Sequence, residues 1–403
     1  MIDPRLVLRR RPSLSLEIDL YDHVHITVDN VRFLAGRYAL AIHDTFAQPK
    51  TVKEGTSALS KQVTGLTDWT ELMNDLYLMI DIGALVTNEQ AQQPLIAKDS
   101  YGFASATGQA SMLNDRLRTE QYIRAIKQMV RPGDVVVEIG TGTGVLSVAA
   151  AQAGASRVYA IEASSIAELA TEVFAANQVD DRVQIIRGNS THVTLQEKAD
   201  VLISEILGND PFGEGLLKYI NDGLHRFIKP GARCIPQQLK VYALLLEMPP
   251  MTFDTYMFNE WNTARWQEWY GIDFAPLRTA VQTISQQAHF YGPQIAAWKR
   301  LSKPVLLTDL RLDRENPLVF SVSPQVEIIR SGRLNTVALY FTADLAEGIS
   351  LTNAIADREV TPNWNNAAWV LGNPVNVEPG DQYMIDYRVN TSSEHMSVRR
   401  ADA

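Results

Sequence analysis

Hydrophobic and polar positions divide the chain into stretches of different period. Leu14, Leu16, Ile18 and Leu20 alternate with polar residues, and Val24, Ile26 and Val28 do the same. A period of two predicts strands with one buried face. Asp29-Asn30 marks a turn before Val31. Helices are predicted from Arg37 to Phe46, from Thr51, where Glu54 completes a capping box, and from Asp68 to Ile82. In the last of these Trp69, Leu72, Met73, Leu76, Leu78, Met79 and Ile82 form an apolar stripe. Ala84-Leu85-Val86 reads as a short closing strand, and the polar, aperiodic run that follows, residues 88–100, as a linker.

The pattern then changes. Met112, Leu113, Leu117, Tyr122, Ile123 and Ile126 give a helical stripe. Val135-Val136-Val137 is a β-branched run ending in Glu138 and Ile139, and Gly140, Gly142 and Gly144 follow at alternate positions. Helix formers from Val145 to Ala151 come next, Gly154 stops them, and a second strand from Arg157 ends at the acid Glu162. Strand, glycine turn, helix, strand and acid make one unit of a parallel α/β sheet. Val201-Leu202-Ile203 is a further buried strand, with Glu205 just beyond its end and Glu214 across a loop containing Gly208, Pro211 and Gly213. Open α/β sheets place their ligand crevice at such strand ends. Lys229-Pro230-Gly231 reads as a turn. From Leu239 onward short apolar runs alternate with turn signals, including Leu318–Val322, Val326–Ile329 and Thr336–Phe341. A last hairpin is expected from Val375-Asn376-Val377 through Glu378-Pro379-Gly380-Asp381 to Tyr383–Val389. Many short strands predict an antiparallel sandwich or barrel.

Composition narrows the function classes. The 403 residues are 46% hydrophobic, enough for real cores. Their 37 Lys and Arg against 46 Asp and Glu give a net charge of −9, which disfavours a nucleic-acid partner. One cysteine, Cys234, leaves no disulfide framework and no cysteine-rich zinc site, and fits a reducing cytoplasm. No apolar span is long enough for a membrane helix and no signal peptide is apparent, so a soluble, cytoplasmic protein is expected. His23, His25 and His43 form no metal-ligand set, and no metal is expected. Arg9-Arg10-Arg11 reads as a solvated basic arm.

The chemistry starts at the glycine turn. Alternating glycines allow a ligand to approach the backbone closely, and the acid Glu162 can accept hydrogen bonds from two ribose hydroxyls. A dinucleotide fold wants G-x-G-x-x-G, with its third glycine beneath a pyrophosphate. Here the spacing is G-x-G-x-G after an acid, which resembles the first motif of class I S-adenosylmethionine-dependent methyltransferases. A tight turn with no ligand is the plainer alternative.

Two further motifs resemble the protein arginine methyltransferases. Met112, Leu113, Asp115, Leu117, Arg118, Thr119 and Tyr122 match the family's lead-in helix. Taken alone, Arg118 would read as a surface helix arginine; the resemblance implies that it binds the cofactor carboxylate, while Met112 packs in the same site. Ser204-Glu205 and Glu214, nine residues apart, match the family's paired acids. A guanidinium stays protonated and is a poor nucleophile. Two carboxylates can grip it, localise its charge and leave one nitrogen facing a methyl donor, and one of them can take the departing proton.

The resemblance implies a Rossmann-like domain, residues 101–236, followed by an antiparallel β-barrel or sandwich, residues 237–403, with a dimerisation arm near 275–300 after Tyr270-Gly271-Ile272-Asp273-Phe274. It implies S-adenosyl-L-methionine as cofactor and S-adenosyl-L-homocysteine as product. Glu205 and Glu214 would be catalytic. Met112, Arg118, Glu138, Gly140, Thr141, Gly142, Gly144, Leu146, Glu162, Asn189, Thr191 and Glu205 would line the cofactor site. Thr191 stands where the family has an adenine-contacting Glu, so the adenine contact is open among Asn189, Thr191 and a backbone carbonyl. Asp115, Asn363 and Trp364 would face the substrate, Trp364 alternatively being a barrel-core aromatic. Asn363 replaces the family's histidine, which puts the substrate in doubt more than the reaction.

Residues 1–87 suggest a small winged-helix-like α+β domain, and Asp81-Ile82-Gly83-Ala84-Leu85-Val86 looks like the peptide-binding domain of the PQQ-biosynthesis chaperone family. That implies a leader peptide added as an extra strand beside Ile18–Val28, in an enzyme that tailors a ribosomally made peptide. A structural or dimerising winged helix remains the alternative. Partners expected are therefore an arginine-containing peptide or protein and a second copy of the chain. A different peptide nucleophile or a small molecule as acceptor, and a catalytically idle scaffold, are the rival functions.

Overall fold

The computed structural model describes residues 3–11, 14–18, 24–28, 31–87, 105–281, 285–355, 364–391 and 393–402. By contacts the chain divides into two compact units. One is Met1–Asp99 with Glu162–Ser165 and Ile186–Val193; the other is Ser100–Ile161, Ile166–Ile185 and Thr194–Ala403.

In the first unit, strands β1 (Val7–Arg10), β2 (Ser15–Ile18), β3 (Val24–Val28) and β4 (Val31–Leu34) precede helix α1 (Ala39–Thr45). Then come β5 (Lys50–Thr51), α2 (Val52–Leu59), α3 (Leu66–Asp81) and β6 (Leu85–Val86). The sheets run β5-β1-β6 and β2-β3-β4. The capping box is present: Thr51 caps α2 by accepting from the Glu54 amide, while the Glu54 carboxylate accepts from the Thr51 amide. The α3 stripe buries Leu72, Leu76 and Met79 against Ile26, Ile42 and Phe46.

The basic arm is a correction. Arg9 and Arg10 belong to β1, the central strand of its sheet, and Arg11 is buried. The Arg10 amide donates to Phe46 O and the Arg11 amide to Ala84 O. Arg9 Nε and Arg11 Nη1 are buried, so a run of three charges does not by itself mark a solvated segment.

In the second unit, α4 (Ala106–Asn114) and α5 (Arg116–Met129) lead into an α/β sheet. Its elements are β7 (Val135–Ile139), α6 (Val145–Gln152), β8 (Arg157–Glu162), α7 (Ala167–Ala176), β9 (Val183–Arg187), β10 (Ala199–Ser204), α8 (Leu216–Arg226) and β11 (Ile228–Ile235). The order is β11-β10-β7-β8-β9, and β7 pairs in parallel with both neighbours. Every residue of β7 is buried, as a strand covered on both faces requires. The expected Lys229-Pro230-Gly231 turn lies inside β11, where the pairing with β10 jumps from Ala199↔Ile228 to Val201↔Arg233.

The chain continues as β12 (Gln238–Glu247), α9 (Pro250–Tyr256), α10 (Glu260–Tyr270), α11 (Ala275–Val281), β13 (Gln286–Phe290), α12 (Gly292–Ala296) and β14 (Lys299–Arg300). It ends with β15 (Val305–Arg311), β16 (Val319–Val322), β17 (Gln325–Glu327), β18 (Gly332–Ala346), β19 (Ile349–Thr352), β20 (Asn366–Val377), β21 (Gln382–Asn390) and β22 (Ser393–Arg400). One sheet follows β13-β20-β18-β12-β14, with β15 on β12 and β19 on β18; a second runs β16-β21-β17, with β22 on β21. The pairs are antiparallel.

The expected hairpin through Glu378–Asp381 is not one. β20 pairs with β13 and β18, whereas β21 pairs with β16, β17 and β22, so the turn carries the chain from one sheet to the other. The hairpin that does form is β21–β22. Of the stretch expected to be an arm, Phe290, Ile295 and Trp298 are built into a barrel cluster. Tyr291 in that stretch is exposed, as are Trp261, Trp269 and Tyr270 on α10 before it.

Gly144 shows why the turn after β7 needs glycine. Its φ is +88°, and a Cβ there would sit 2.3 Å from Cε1 of buried Phe174. Gly231, at φ +76°, has nothing within 4 Å of such a Cβ. Gly231→Ala should therefore cost about 1–2 kcal/mol, from backbone strain alone. Gly144→Ala should cost about 2–4 kcal/mol, because overpacking adds to it. Thermal unfolding of the two variants checks this: equal melting temperatures would contradict the packing assigned to Phe174.

Candidate functional site

The turn between β7 and α6 is fixed from within. Glu138 is buried, and its Oε2 accepts hydrogen bonds from the Thr141 hydroxyl, at 2.7 Å, and from the Ser147 hydroxyl. The Gly140 and Thr141 amides both donate to Ile161 O at 3.0 Å. Leu146, in the first turn of α6, is buried. Gly140, Gly142 and Gly144 all have positive φ. A Cβ on Gly140 would lie 3.0 Å from Ile206 Cγ2, and one on Gly142 2.9 Å from Gln109 Oε1. The glycine turn thus receives α4 on one side and the loop after β10 on the other. Packing against Ile206 and Gln109, together with the positive φ angles, is what requires glycine at these positions.

The lead-in segment is two helices rather than one, broken at Asp115. This buried residue caps the C-terminus of α4 and the N-terminus of α5, and its Oδ1 accepts from the Arg118 amide at 3.1 Å. The break turns Arg118 inward. Its Nη2 donates to Met112 O at 2.8 Å and its Nη1 to Glu205 Oε2 at 3.0 Å. Its Cζ stands 5.6 Å from the Trp364 ring centroid, a cation–π distance. Arg118 is only 6% exposed, so the surface reading of this arginine is wrong. Its contacts join Met112, Asp115, Glu205 and Trp364 around one guanidinium.

Glu205 follows directly on β10, and its Oε1 is buried with no hydrogen-bond partner among the described residues. Burial pushes its carboxyl up, opposed by the Arg118 charge and the Leu207 amide, and Asp115 adds a further upward push. Glu214 closes the loop. Burial, then the Glu205 charge, push its carboxyl up to about 7, against a smaller downward pull from Arg118. Its Oε1 lies 2.9 Å from where a Cβ on Gly208 would be, so a side chain at 208 would displace it. The two acids therefore share one buried field, and Arg118 is the cation that offsets it among the described residues. Tyr122 supports the strand end by donating its hydroxyl to Ser204 O at 3.2 Å.

Trp364 is both a core aromatic and part of this site. It packs edge-on against Phe341 and donates its indole N–H to Leu207 O at 2.7 Å. Asn363 lies outside the described residues. Sequence reasoning missed the other residues that hold the loop: Asn365, His289, Tyr387 and Glu394. Glu394 bonds Phe212 across 182 positions of sequence, so no local signal announces it.

The other three expected cofactor residues belong to the first unit. Glu162 Oε1 accepts from the Ser164 amide at 2.8 Å, and the Glu162 carbonyl accepts from the Gly188 amide at 2.8 Å. The next residue, Asn189, accepts from both the amide and the hydroxyl of Thr191. Those bonds join Glu162 to the 188–191 turn. Among the described residues no cluster of three or more His, Cys, Asp or Glu could hold a metal ion, and no helix is long and apolar enough to cross a membrane.

The acid pair gives stability a pH dependence of definite sign. A carboxyl near 7 in the folded state and about 4.3 unfolded binds more proton when folded, so its contribution falls as pH rises across that window. Glu394, also pushed up to about 7, acts in the same direction. Between pH 5 and 8 the melting temperature of Glu214→Gln should fall less steeply with rising pH than that of wild type. Parallel curves in thermal melts would contradict the assignment to Glu214.

Similarity to known proteins follows this geometry. The family described as ribosomal protein L11 methyltransferase (PrmA) matches residues 41–236. Protein arginine N-methyltransferase PRMT10 of Arabidopsis thaliana is 26% identical over 313 residues, covering 71% of this chain and 81% of the relative. Protein arginine N-methyltransferase 6 of Danio rerio is 28% identical over 310 residues, covering 75% and 87%. A solved Trypanosoma brucei PRMT1 enzyme–prozyme heterotetrameric complex with AdoHcy superposes with a TM-score of 0.64 at 20% identity, over 75% of this chain and 94% of that one. At that identity the likeness speaks for the fold: a Rossmann-like methyltransferase domain with a β-barrel domain. The relatives support an S-adenosylmethionine-dependent methyltransferase similar to the protein arginine N-methyltransferases.

Proposed function

We propose that this protein methylates the guanidinium of an arginine side chain in a peptide or protein. The observation that carries the reading is the acid pair. Glu205 keeps a buried oxygen without a hydrogen-bond donor among the described residues, and Glu214 holds a carboxyl pushed up to about 7 beside it. A protonated guanidinium would add donors in a planar fork for the free Glu205 oxygen and a counter-charge for Glu214, beyond what Arg118 already gives Glu205 Oε2.

The chain's own residues perform most of the work. Arg118, held by Glu205 and the Met112 carbonyl, suits a ligand carboxylate at the inner end of the site. Gly140, Thr141, Gly142 and Gly144, with Glu138 fixing the turn and Leu146 beneath, form the backbone cradle. Glu162 is assigned the ribose hydroxyls, and Asn189 or Thr191 the adenine. When bound, S-adenosylmethionine supplies an electrophilic methyl carbon, so that an N–C bond forms as the C–S bond breaks and sulfur keeps the electron pair. Glu205 and Glu214 orient the guanidinium and hold its charge on the nitrogens that do not react. The proton shed by the methylated nitrogen goes to Glu214, whose raised affinity for it fits a base working near neutrality. Asp115 keeps Arg118 in place, and Trp364 borders the acceptor side; Asn363, outside the described residues, is assigned to that side from the sequence alone.

The same reading extends outward. Residues 1–87 are assigned to recognition of a leader peptide. Of the Ile18–Val28 region expected to receive it, β3 (Val24–Val28) is paired on both sides, so the added strand is assigned to the edge of β2, which ends at Ile18. A homodimer would use the aromatic surface of α10, where Arg265 lies between Trp261 and Trp269 at 4.0 and 4.4 Å. The working compartment is the cytoplasm.

Glu214→Gln should cut kcat by at least about 100-fold on peptides with a central arginine, while S-adenosylhomocysteine affinity stays within about threefold. Calorimetry with radiolabel transfer reads both; a variant with wild-type turnover would exclude the clamp. Removing residues 1–87 should raise KM for a leader-bearing precursor peptide by at least tenfold and leave its kcat on a short arginine peptide within about threefold. An unchanged KM would remove the recognition role.

A further inference from the structure

The loop from Glu205 to Glu214 is tied to the barrel at four points. The Trp364 indole donates to Leu207 O, and the Asn365 amide to Asn209 Oδ1 at 2.8 Å. His289 Nε2 lies 3.0 Å from Asp210 Oδ1, and the Phe212 amide donates to Glu394 Oε1 at 2.9 Å. The last tie differs from the others. Glu394 is 9% exposed, and both its oxygens are committed: Oε2 accepts from the Tyr387 hydroxyl, itself buried. Burial pushes the Glu394 carboxyl up, while the Tyr387 and Phe212 donors pull it down. A buried carboxyl is costly where an apolar side chain would fill the space, and it is retained here with both acceptors used.

What Glu394 grips is the part of the loop next to the reacting acid. The Phe212 ring is fully buried and meets Phe320 edge-on at 5.7 Å; Phe320 in turn meets Tyr387 at 6.4 Å. The Phe212 carbonyl accepts from the Gly215 amide at 2.9 Å, and the Gly213 amide donates to Asp210 O at 3.0 Å. Phe212 is thus fixed through its ring, its N–H and its C=O, and the bonded turn that it anchors contains Glu214. A shift of about 1 Å in a catalytic group costs on the order of 100-fold in rate.

We propose that Glu394, oriented by Tyr387, is a positioning residue for methyl transfer: its carboxylate on the Phe212 amide sets where Glu214 stands. The inference rests on the clamp reading of Glu205 and Glu214. It makes the β21–β22 hairpin, at the C-terminal end of the chain, a determinant of turnover rather than of cofactor binding.

Full-length Glu394→Gln, Glu394→Leu and Tyr387→Phe test it, with Glu214→Gln alongside. Single-turnover methyl transfer is measured to a degenerate peptide mixture with arginine fixed at its centre, and S-adenosylhomocysteine affinity by calorimetry. Glu394→Gln keeps an acceptor for the Phe212 amide and should stay within about threefold of wild type. Glu394→Leu should lose at least about tenfold in rate with cofactor-product affinity within threefold. Wild-type rate in Glu394→Leu, loss of rate and affinity together, or equal damage from Gln and Leu overturns the proposal. If the leucine variant does not fold, Tyr387→Phe decides: a fall of threefold or more at unchanged affinity supports it, and an unchanged rate overturns it. A fully active Glu214→Gln instead refutes the clamp, whereas an inactive Glu214→Gln beside an active Glu394→Leu refutes only the positioning role.

Discussion

Two partly buried carboxyl groups on one loop, Glu205 and Glu214, near enough for the charge of one to raise the other, are the constraint on which the account of this molecule rests. Like charges in a low-dielectric site cannot both ionise without a cation, and Arg118 is already shared between Glu205 and the Met112 carbonyl. Burial and the Glu205 charge push the Glu214 carboxyl up to about 7. A guanidinium brings charge and several donors in one plane. On the proposed reading, a cation with fork geometry between the acids relieves that repulsion.

The architecture serves that constraint from two sides. The parallel sheet delivers Glu205 at the end of β10 and the glycine turn at the end of β7, neighbouring strands whose ends coincide in register from Val201↔Val136 to Ser204↔Ile139. The break at Asp115 turns Arg118 toward them. The antiparallel sheets hold the far side of the loop through Trp364, Asn365, His289 and Glu394. The proposed catalytic acids stand on a loop, and that loop is tied to separate strands.

Much of this was legible in the sequence, and the residues show why. The glycine turn is local: three glycines at positive φ and a following helix leave few other readings. The Thr51–Glu54 capping box spans three residues and formed as expected. The paired acids carry their spacing with them. What failed was long-range or chemically ambiguous. Arg9-Arg10-Arg11 looked solvated because charge masks a central strand. The Glu378–Asp381 turn looked like a hairpin because a turn between two strands does not say which sheet each will join. Asp115 reads as a polar residue in a helical stripe, yet it ends one helix and begins the next. Glu394 lies so far along the chain from Phe212 that only tertiary packing reveals the pair.

The most direct test follows the proton. Titration calorimetry of an arginine-centred peptide into the protein saturated with S-adenosylhomocysteine, repeated in buffers of different ionisation enthalpy, counts protons released on binding. At pH 6 a guanidinium entering between the acids should expel close to one proton, fading toward none at pH 8, and Glu214→Gln should abolish the release. Binding with no proton exchange at pH 6, or with uptake, would contradict the claim that the acid pair is a receptor for that cation.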